Sequence, residues 1–257
     1  MEAAEQKVVS RALAKGLEML QLLSDDRPRS LTELCAAIGL GKASTLRLLQ
    51  TLVSTGFVSR EPGGVYSARG IRAVDSADRS FVAALMEAAE EDIQVLNSDL
   101  AETVSMAVLR DDHIRVVRTL ESPQHIRMSN YPDRILAPYA SSLGKAISAW
   151  QSPERLQTLL QVYGIYRTTD KTITDPILIR EEMARIRERG YAREYEETVP
   201  GGCCFGAPVS AKGQPVMAAI SISMPSSRLT PKMEKAAPEL LLKAAARVSR
   251  KLERRLK

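Results

Sequence analysis

The sequence is poor in the residues that build disulfide frameworks and metal centres. Its 257 residues include three cysteines and two histidines. Three cysteines cannot form a disulfide framework, and the neighbours Cys203 and Cys204 could pair only through a strained ring. Neither His113 nor His125 stands beside a cysteine at a spacing that suits a metal ion. We therefore expect a reducing compartment, no metal site and no cofactor.

The chain also lacks a long apolar run. No stretch approaches the roughly 20 apolar residues that a membrane helix needs. Residues 1–7 carry acidic side chains and no apolar stretch follows them, so no secretory signal is visible. With 44% hydrophobic residues the chain can build ordinary cores, and its length suits two modest domains. We expect a soluble, cytoplasmic protein that does not engage a membrane.

The excess of basic residues is confined to one end of the chain. The net charge is +5, but the last fifteen residues contain seven Lys or Arg and a single Glu, so the remainder is about neutral. Residues 1–70 contain nine basic and seven acidic residues. Any affinity for nucleic acid must therefore come from local placement of cations and from dimerisation. The basic C-terminal segment is either a solvated helix face or a source of added phosphate contacts.

Residues 30–69 predict two short helices followed by a hairpin. The first helix begins at Ser30, because S-L-T-E supplies an acceptor hydroxyl and Glu33 has the spacing of a capping box. Gly39 ends that helix and permits a sharp turn, and a second apolar period begins at residue 42 or 43, with positions 46, 49, 52 and 53 facing inward. Two short strands then flank a Gly-Gly turn at 63–64. This order predicts a winged helix-turn-helix, and a protein-interaction module of the same shape is the alternative.

The exposed start of the second helix carries the candidate DNA contacts. Small, hydroxylated and cationic side chains at a helix N-terminus suit the major groove, and the free N–H groups there favour phosphate. Arginines beside the hairpin could touch the DNA backbone. Double-stranded DNA is therefore the expected partner, and the candidate residues are Lys42, Ala43, Ser44, Thr45, Arg47, Arg60 and Arg69.

Helical and strand periodicity organise the rest of the chain. Residues 9–24 predict a helix with Leu13, Leu17, Leu20 and either Leu23 or Leu22 on its inner face, and a long helical pattern continues from about residue 72 to 99. Strand pairs at 103–109 with 113–120 and at 204–210 with 216–224 alternate with helices at 141–150, after Pro153, at 176–189 and from Pro231. Hairpins with helices inserted between them predict an α+β domain.

Short motifs follow one another along nearly the whole chain. The first three are S-R-A-L-A-K-G-L-E-M-L at 10–20, S-L-T-E-L-C-A-A-I-G-L-G-K-A-S-T-L-R-L-L-Q-T-L at 30–52 and G-F-V at 56–58. The later motifs are E-T-V at 102–104, E-S-P at 121–123, L-G-K-A at 143–146, G-Y-A at 190–192, E-E-T-x-P-G at 196–201, C-F-G-A-P-V at 204–209 and A-A-I-S-I-S at 218–223.

In order and spacing these motifs resemble the IclR-type family of bacterial transcriptional regulators. The resemblance implies a winged helix-turn-helix DNA-binding domain at 1–71, a linker helix at 72–99 and a GAF-like domain with an antiparallel sheet at 100–257. This last domain would bind an effector and form oligomers, so the protein would associate with itself as a dimer or tetramer. The expected function is that of a ligand-responsive, sequence-specific regulator, either repressor or activator.

The resemblance also implies an effector pocket. Ser142 and Leu143 would open a helix whose N–H groups could hold a carboxylate, and Glu194 would accept from ligand hydroxyls. These features favour a small acid, and among acids a keto or hydroxy acid. Ala137 and Tyr139 stand where a Leu and a His are commoner in the family, so the identity of the effector does not carry over. The implied pocket residues are Ile126, Met128, Leu136, Ser142, Leu143, Glu194, Cys204, Ser221 and Ser223.

Three alternatives remain at this stage. Cys204 and the apolar candidates could be ordinary core residues, and Ser221 and Ser223 could face solvent. An enzyme with Cys204 as nucleophile would need a base, and neither histidine lies in an orienting motif, so we expect no enzymatic activity. A DNA-binding or interaction protein whose C-terminal domain only forms oligomers is the third possibility, and polar residues at the pocket positions argue against it.

Overall fold

The computed structural model describes residues 10–24, 27–55, 57–61, 63–68 and 76–256. The chain forms two compact units, Met1–Arg79 and Ser80–Lys257, and each is described by itself. Arg69, Pro62 at the hairpin and the first residues of the expected linker, 72–75, lie outside the described residues.

The first unit is a winged helix-turn-helix. Its strands pair antiparallel in the order β1-β3-β2. The predicted succession of helix, turn, helix and hairpin is confirmed. The elements are α1 (Arg11–Leu23), β1 (Arg29–Ser30), α2 (Leu31–Ile38), α3 (Lys42–Ser54), β2 (Val58–Arg60) and β3 (Val65–Ala68).

The start and the end of α2 follow from the local sequence. Ser30 Oγ accepts a hydrogen bond from the Glu33 backbone N–H at 3.3 Å, and the Ser30 N–H donates to Glu33 Oε2 at 2.7 Å. This is the predicted capping box, which satisfies two N–H groups that the helix start leaves free. Gly39 ends α2 at a φ of 67°, in the left-handed region that favours glycine. The capping box thus sets where α2 begins, and the left-handed Gly39 turns the chain towards α3.

The core of the first unit uses the predicted face of α1 only at the C-terminal half of the helix. Gly16, Met19, Leu20 and Leu23 are buried in that helix. Leu13 and Leu17, which the periodicity placed inside, are 63% and 54% exposed, so that part of the prediction is wrong. Both faces of α1 carry apolar residues, and the period alone does not determine which one packs. The remaining core members are Leu34, Ile38, Leu49, Val58 and Tyr66, whereas Val53 on α3 is 38% exposed.

The second unit is built on a six-stranded antiparallel sheet, and its α+β class is confirmed. The strand order is β6-β5-β4-β9-β8-β7, so the two predicted hairpins lie side by side through β4 and β9. A 3-10 turn, Ser226–Arg228, precedes the last helix. The elements are α4 (Ser76–Leu100), β4 (Thr103–Arg110), β5 (His113–Leu120), β6 (Ile135–Leu136), α5 (Ser142–Ser148), α6 (Pro153–Tyr163), α7 (Pro176–Arg189), β7 (Ala192–Tyr195), β8 (Gly202–Val209), β9 (Ala218–Pro225) and α8 (Pro231–Arg255).

Helices cover both faces of this sheet. On one face α4 and α8 pack against alternate strand residues such as Cys203, Phe205 and Ile222. On the other face α5, α6 and α7 pack around Ala107 and Ala219. Because successive strand residues point to opposite faces, Cys204 and Ser223 belong to the α5 side. Burial on both faces explains why β4, β8 and β9 are rich in apolar residues, with the hydroxyl side chains of β4 and β9 on the α5 side.

The basic C-terminal helix packs against an acidic face of α4. Asp92, 3% exposed, forms ion pairs with Arg247 and Lys251, and Lys251 also contacts Glu91 at 2.8 Å. Arg255 also forms an ion pair with Glu87 of α4 at 2.9 Å. Three basic residues of the terminal segment thus form ion pairs within the second unit. None of the helices in the described ranges is long and apolar enough to span a membrane.

Candidate functional site

The start of α3 presents a cationic surface. Lys42, Ala43, Ser44 and Arg47 are exposed there, and Arg60 is exposed on β2. Within the described ranges, no acidic side chain forms an ion pair with Lys42 or Arg47. Two unpaired cations and the N–H groups of a helix start can bind phosphate and base edges. The geometry is therefore compatible with DNA contact at this helix.

Thr45 does not belong to that surface, contrary to the prediction. Its side chain is fully buried, and its hydroxyl lies 3.2 Å from the Gly41 carbonyl and 3.4 Å from the Leu40 carbonyl, both of which accept from it. The hydroxyl of a helical threonine can donate in this way to a backbone carbonyl three or four residues earlier. Thr45 fixes the entry into α3 instead of facing outward. Arg69, the last candidate, lies outside the described residues.

A cavity of about 170 Å³ opens in the second unit between the sheet, α5 and the segment before α5. Of the nine implied pocket residues, eight line it. The cavity also includes residues that the sequence did not predict, from β4, β6, the end of α6 and loops. The lining comprises Met128, Leu136, Ser142, Leu143, Glu194, Cys204, Ser221 and Ser223, together with Thr103, Ser129, Asn130, Arg134, Ile135, Ala137, Ser141, Tyr163, Thr168, Thr198 and Val199.

Strand register places four polar side chains in one row across the cavity wall. Glu194 on β7 is paired with Cys204 on β8, Cys204 with Ser223 on β9, and Ser223 with Thr103 on β4. Thr103 Oγ1 donates to the Met128 carbonyl at 2.6 Å, so this row also holds the segment that forms the opposite wall. Partners in adjacent strands lie about 5 Å apart. The row can therefore offer several hydrogen-bonding groups to one small molecule.

Glu194 is the buried acid of this row. Its side chain is fully buried, and Oε1 accepts from the backbone N–H groups of Glu197 at 2.7 Å and Thr198 at 3.0 Å. Its other oxygen, Oε2, has no hydrogen-bond partner among the described residues. A buried polar atom without a partner is costly. A ligand that donates a hydrogen bond to Oε2 would remove that cost.

The Cys204 thiol is unsuited to nucleophilic chemistry. Burial, and next the negative charge of Glu194, raise the pKa of this thiol well above its usual value. The thiolate is the reactive form of cysteine, and this environment disfavours it. Neither His113 nor His125 lines the cavity. Cys204 can instead supply a small, soft contact and a weak donor.

A buried ion pair fixes α5 beside the cavity. Lys145 is fully buried, donates to the Arg193 carbonyl at 3.3 Å and forms an ion pair with Glu197. Burial of Glu197 raises the pKa of its carboxyl to about 7, although the nearby Lys145 ammonium opposes that shift. The Glu197 N–H group is also a donor to Glu194, so one segment links the ion pair to the cavity acid.

Two glycines let α5 approach its neighbours, the sheet at Gly206 and the segment before α5 at Gly144. A Cβ atom on Gly206 of β8 would lie 2.3 Å from the Ser142 carbonyl oxygen, and one on Gly144 would lie 2.0 Å from the Ala137 carbonyl oxygen. Any larger residue at either position would force the backbone apart. The absence of these side chains therefore brings Ser142 and Leu143 to the cavity wall.

Two positions singled out from the sequence lie elsewhere. Ile126 is 76% exposed and does not line the cavity, so we remove it from the pocket set. Its carbonyl accepts from Arg228 at 2.7 Å. Tyr139 is buried behind the cavity wall, donates to the Tyr166 carbonyl at 2.8 Å and accepts from the Tyr166 N–H at 2.7 Å. This tyrosine therefore shapes a neighbouring loop and adds no polar group to the cavity.

Comparison with known proteins gives one consistent result. Residues 12–62 match the family described as the IclR helix-turn-helix domain, and residues 81–250 match the bacterial transcriptional regulator IclR C-terminal family. The transcriptional repressor IclR of Escherichia coli is 32% identical over 244 residues, which span 93% of this chain and 89% of the relative.

Solved structures share the fold along most of the chain. A regulator from Silicibacter sp. TM1040 matches with a TM-score of 0.67 at 22% identity, covering 94% of this chain and 96% of the other. An IclR homologue from Microbacterium hydrocarbonoxydans, complexed with 4-hydroxybenzoate, matches with a TM-score of 0.63 at 21% identity, covering 95% and 99%.

Proposed function

Because this chain belongs to the IclR family of DNA-binding transcriptional regulators, we propose that it is a regulator whose operator affinity responds to a small acidic metabolite. In this proposal residues 1–71 bind DNA, residues 100–257 bind the effector and form oligomers, and residues 72–99 join them. The effector shifts the balance between arrangements of the protein that differ in DNA affinity. A coupling of about 1 to 3 kcal/mol would change operator affinity about five- to 150-fold.

The observation that supports ligand sensing is the unpartnered Glu194 Oε2 in the cavity wall. Oε1 of Glu194 holds the backbone at 197–198, but a domain that only formed oligomers would have no need to leave Oε2 buried without a partner beside an open space. Ser221, Ser223 and Ser142 add hydroxyls on the same side. These groups suit a ligand with hydroxyl or keto oxygens, and a hydroxy or keto acid is the class we propose.

Self-association has its own support in the first unit. Leu13 and Leu17 on α1 are more than half exposed, although both are large aliphatic residues. Leu13 and Leu17 are four residues apart and so lie on one helix face, where adjacent apolar side chains can form an interaction patch. We propose that the protein acts as a dimer or a tetramer, which also brings two DNA-binding units to one operator.

The test of DNA recognition is capture of genomic fragments on the purified full chain at physiological salt. The control protein carries Lys42→Ala and Arg47→Ala, which alter exposed side chains and leave the core intact. We expect a recurring palindromic site that the control protein does not enrich. If wild type and control enrich the same fragments equally, α3 is not the reading element.

The test of sensing is thermal stabilisation by small acids, beginning with 4-hydroxybenzoate, the ligand of the Microbacterium hydrocarbonoxydans homologue. A ligand that binds only the folded state raises the melting temperature. An acid that does so is then added to the operator-binding assay. A change in operator affinity supports the proposal. Stabilisation without such a change indicates a ligand that does not regulate DNA binding. The absence of stabilisation by any acid favours an oligomerisation domain that senses no ligand.

A further inference from the structure

The cavity has a buried end and an exposed rim. Glu194 and Ser221 at the buried end are 0% and 1% exposed, whereas Arg134 and Ile135 at the rim belong to an exposed segment. Among the lining residues Arg134 is the one cation and Glu194 the one anion. A ligand in this cavity therefore meets opposite charges at its two ends.

The backbone at Arg134 is fixed to the sheet, although its side chain reaches the rim. The Arg134 carbonyl accepts from the Val116 N–H at 3.0 Å, and the neighbouring Asp133 N–H donates to the Val116 carbonyl at 2.8 Å. This pairing continues the contact of β6 with β5. The main chain that carries the guanidinium is thus well defined, so binding a ligand needs to order the side chain alone.

The Arg134 guanidinium has no carboxylate partner among the described residues. It lies 3.5 Å from Asn130 Oδ1, at the limit of a hydrogen bond, and 5.8 Å from the centre of the Tyr131 ring. Arg127, in the same segment, is by contrast held by Glu121 Oε2 at 2.7 and 2.9 Å. Arg134 therefore keeps most of its donors available for a planar anion.

Glu194 determines which end of a ligand enters first. Its Oε2 has the weakly donating Cys204 thiol as a neighbour and no partner that satisfies it, so it requires a hydrogen-bond donor. A ligand carboxylate placed there would meet a like charge at a buried position, which is unfavourable. A hydroxyl group meets the requirement, and the carboxylate then lies towards the rim.

From these observations we infer that Arg134 binds the acidic group of the effector and so determines the preference for acids. The effector carries a hydrogen-bond donor that enters first and contacts Glu194, and its carboxylate accepts from the Arg134 guanidinium at the rim. This inference rests on the proposed sensing function, since it concerns the same cavity.

The test measures binding of matched acids and amides to the full chain. The probes are lactate, 3-hydroxybutyrate, mandelate and 3-hydroxybenzoate, each with its primary amide, which keeps the shape and removes the charge. The proteins are wild type, Arg134→Gln, Arg134→Lys and the control Arg127→Gln, which removes an arginine of the same segment that lies outside the cavity lining. Affinities come from calorimetric titration at two salt concentrations.

We expect wild type to bind at least one acid about tenfold or more tightly than its amide, because a charge-assisted contact is lost in the amide. Arg134→Gln removes that preference, Arg134→Lys retains part of it, and Arg127→Gln leaves it unchanged. The preference decreases at higher salt because Arg134 is exposed. A wild-type preference that Arg134→Gln preserves would overturn the role of Arg134 and leave the sensing function intact. If wild type binds no acid of the panel more tightly than its amide, the role of Arg134 is overturned, and the sensing function is decided separately by the thermal-stabilisation test.

The orientation has a separate readout. Butyrate lacks the hydroxyl donor of 3-hydroxybutyrate, and we expect it to bind wild type more weakly. Glu194→Gln is expected to weaken the binding of 3-hydroxybutyrate by about the same factor. The two losses are not additive, because both changes remove the same contact. Full additivity would show that the hydroxyl does not contact Glu194 and would overturn the orientation.

Discussion

Lys251 Nζ of α8 lies 2.9 Å from Asp92 Oδ2 of α4. The contact brings part of the basic C-terminal segment onto a helix from the middle of the chain, with Arg247 as the second cation on the same carboxylate. A net charge of +5 would ordinarily suggest nucleic-acid binding. Here these cations neutralise a buried acid instead, so charge composition says little about the DNA affinity of this chain.

Asp92→Asn is expected to lower the free energy of unfolding of the second unit by about 1 to 3 kcal/mol, because hydrogen bonds to a buried charged group are lost. The measurement is urea denaturation followed by the fluorescence of Trp150, the single tryptophan, which belongs to this unit. The matched control is Glu91→Gln, whose side chain is 80% exposed and contacts the same Lys251. An exposed pair contributes little. Equal losses in the two variants would refute the importance of burial at Asp92.

The Glu197 carboxyl predicts a pH dependence of stability. Burial raises its pKa to about 7 in the folded protein, above the unfolded value of 4.5. Between these values the folded state binds more protons than the unfolded state, so stability falls as pH rises through that window. We expect a loss on the order of 2 kcal/mol between pH 5 and pH 8 that is absent in Glu197→Gln.

The difference between the two proteins isolates Glu197, because other groups that titrate in this range are common to both. Lys145, Glu194 and Glu182 carry the charges that act on it. Urea denaturation at pH 5, 6, 7 and 8 gives the two slopes. Parallel slopes for wild type and variant would mean that the carboxyl does not titrate in this window.

Tyr139→Phe tests the departure from the family pattern at this position. The hydroxyl serves both the N–H and the carbonyl of Tyr166, so its removal leaves two backbone groups without a partner. We expect a loss of about 1 to 3 kcal/mol in unfolding free energy and unchanged ligand affinity, because Tyr139 does not line the cavity. Tyr131→Phe is the control, since Tyr131 is 62% exposed. A changed affinity in Tyr139→Phe would place this residue in the binding site after all.

Local signals in the sequence predicted the helix boundaries of the first unit well and its packing less well. The capping box of Ser30 and Glu33 and the stop at Gly39 depend on residues close together in sequence. The inner face of α1 depends on what the helix packs against, and with apolar residues on both sides the period could not exclude Leu13. Thr45 was predicted to be exposed because it stands among exposed residues at the start of α3. Its hydroxyl instead donates to the Gly41 carbonyl, a contact that the sequence pattern does not show.

The cavity was predictable where strand alternation or the family resemblance applied. Strand alternation and the resemblance both placed Ser221 and Ser223 on one face of the sheet. The structure adds that Thr103 lies beside Ser223, at the end of the polar row that begins at Glu194. That continuation depends on the register between β4 and β9, strands that are more than one hundred residues apart in sequence. Arg134 lies just before the short strand β6, in a segment with no periodicity, so no pattern could place it at the rim. Residues joined only by tertiary pairing are beyond single-sequence reasoning.

The DNA-binding surface of α3 leads to a prediction about salt. Each phosphate contact made by a cation adds about 0.9 to the slope of log affinity against log salt concentration. On an operator recovered by genomic capture, Lys42→Ala is therefore expected to weaken binding to all sequences and to reduce the slope by about one per subunit. Lys251→Gln is expected to leave the slope unchanged, because Lys251 is engaged with Glu91 and Asp92. Thr45→Val is expected to lower stability by about 1 kcal/mol without altering base preference, since its hydroxyl serves backbone carbonyls. Fluorescence anisotropy of labelled operator at four salt concentrations gives the slopes for wild type, Lys42→Ala and Lys251→Gln. A slope for Lys42→Ala equal to that of wild type would show that Lys42 makes no phosphate contact.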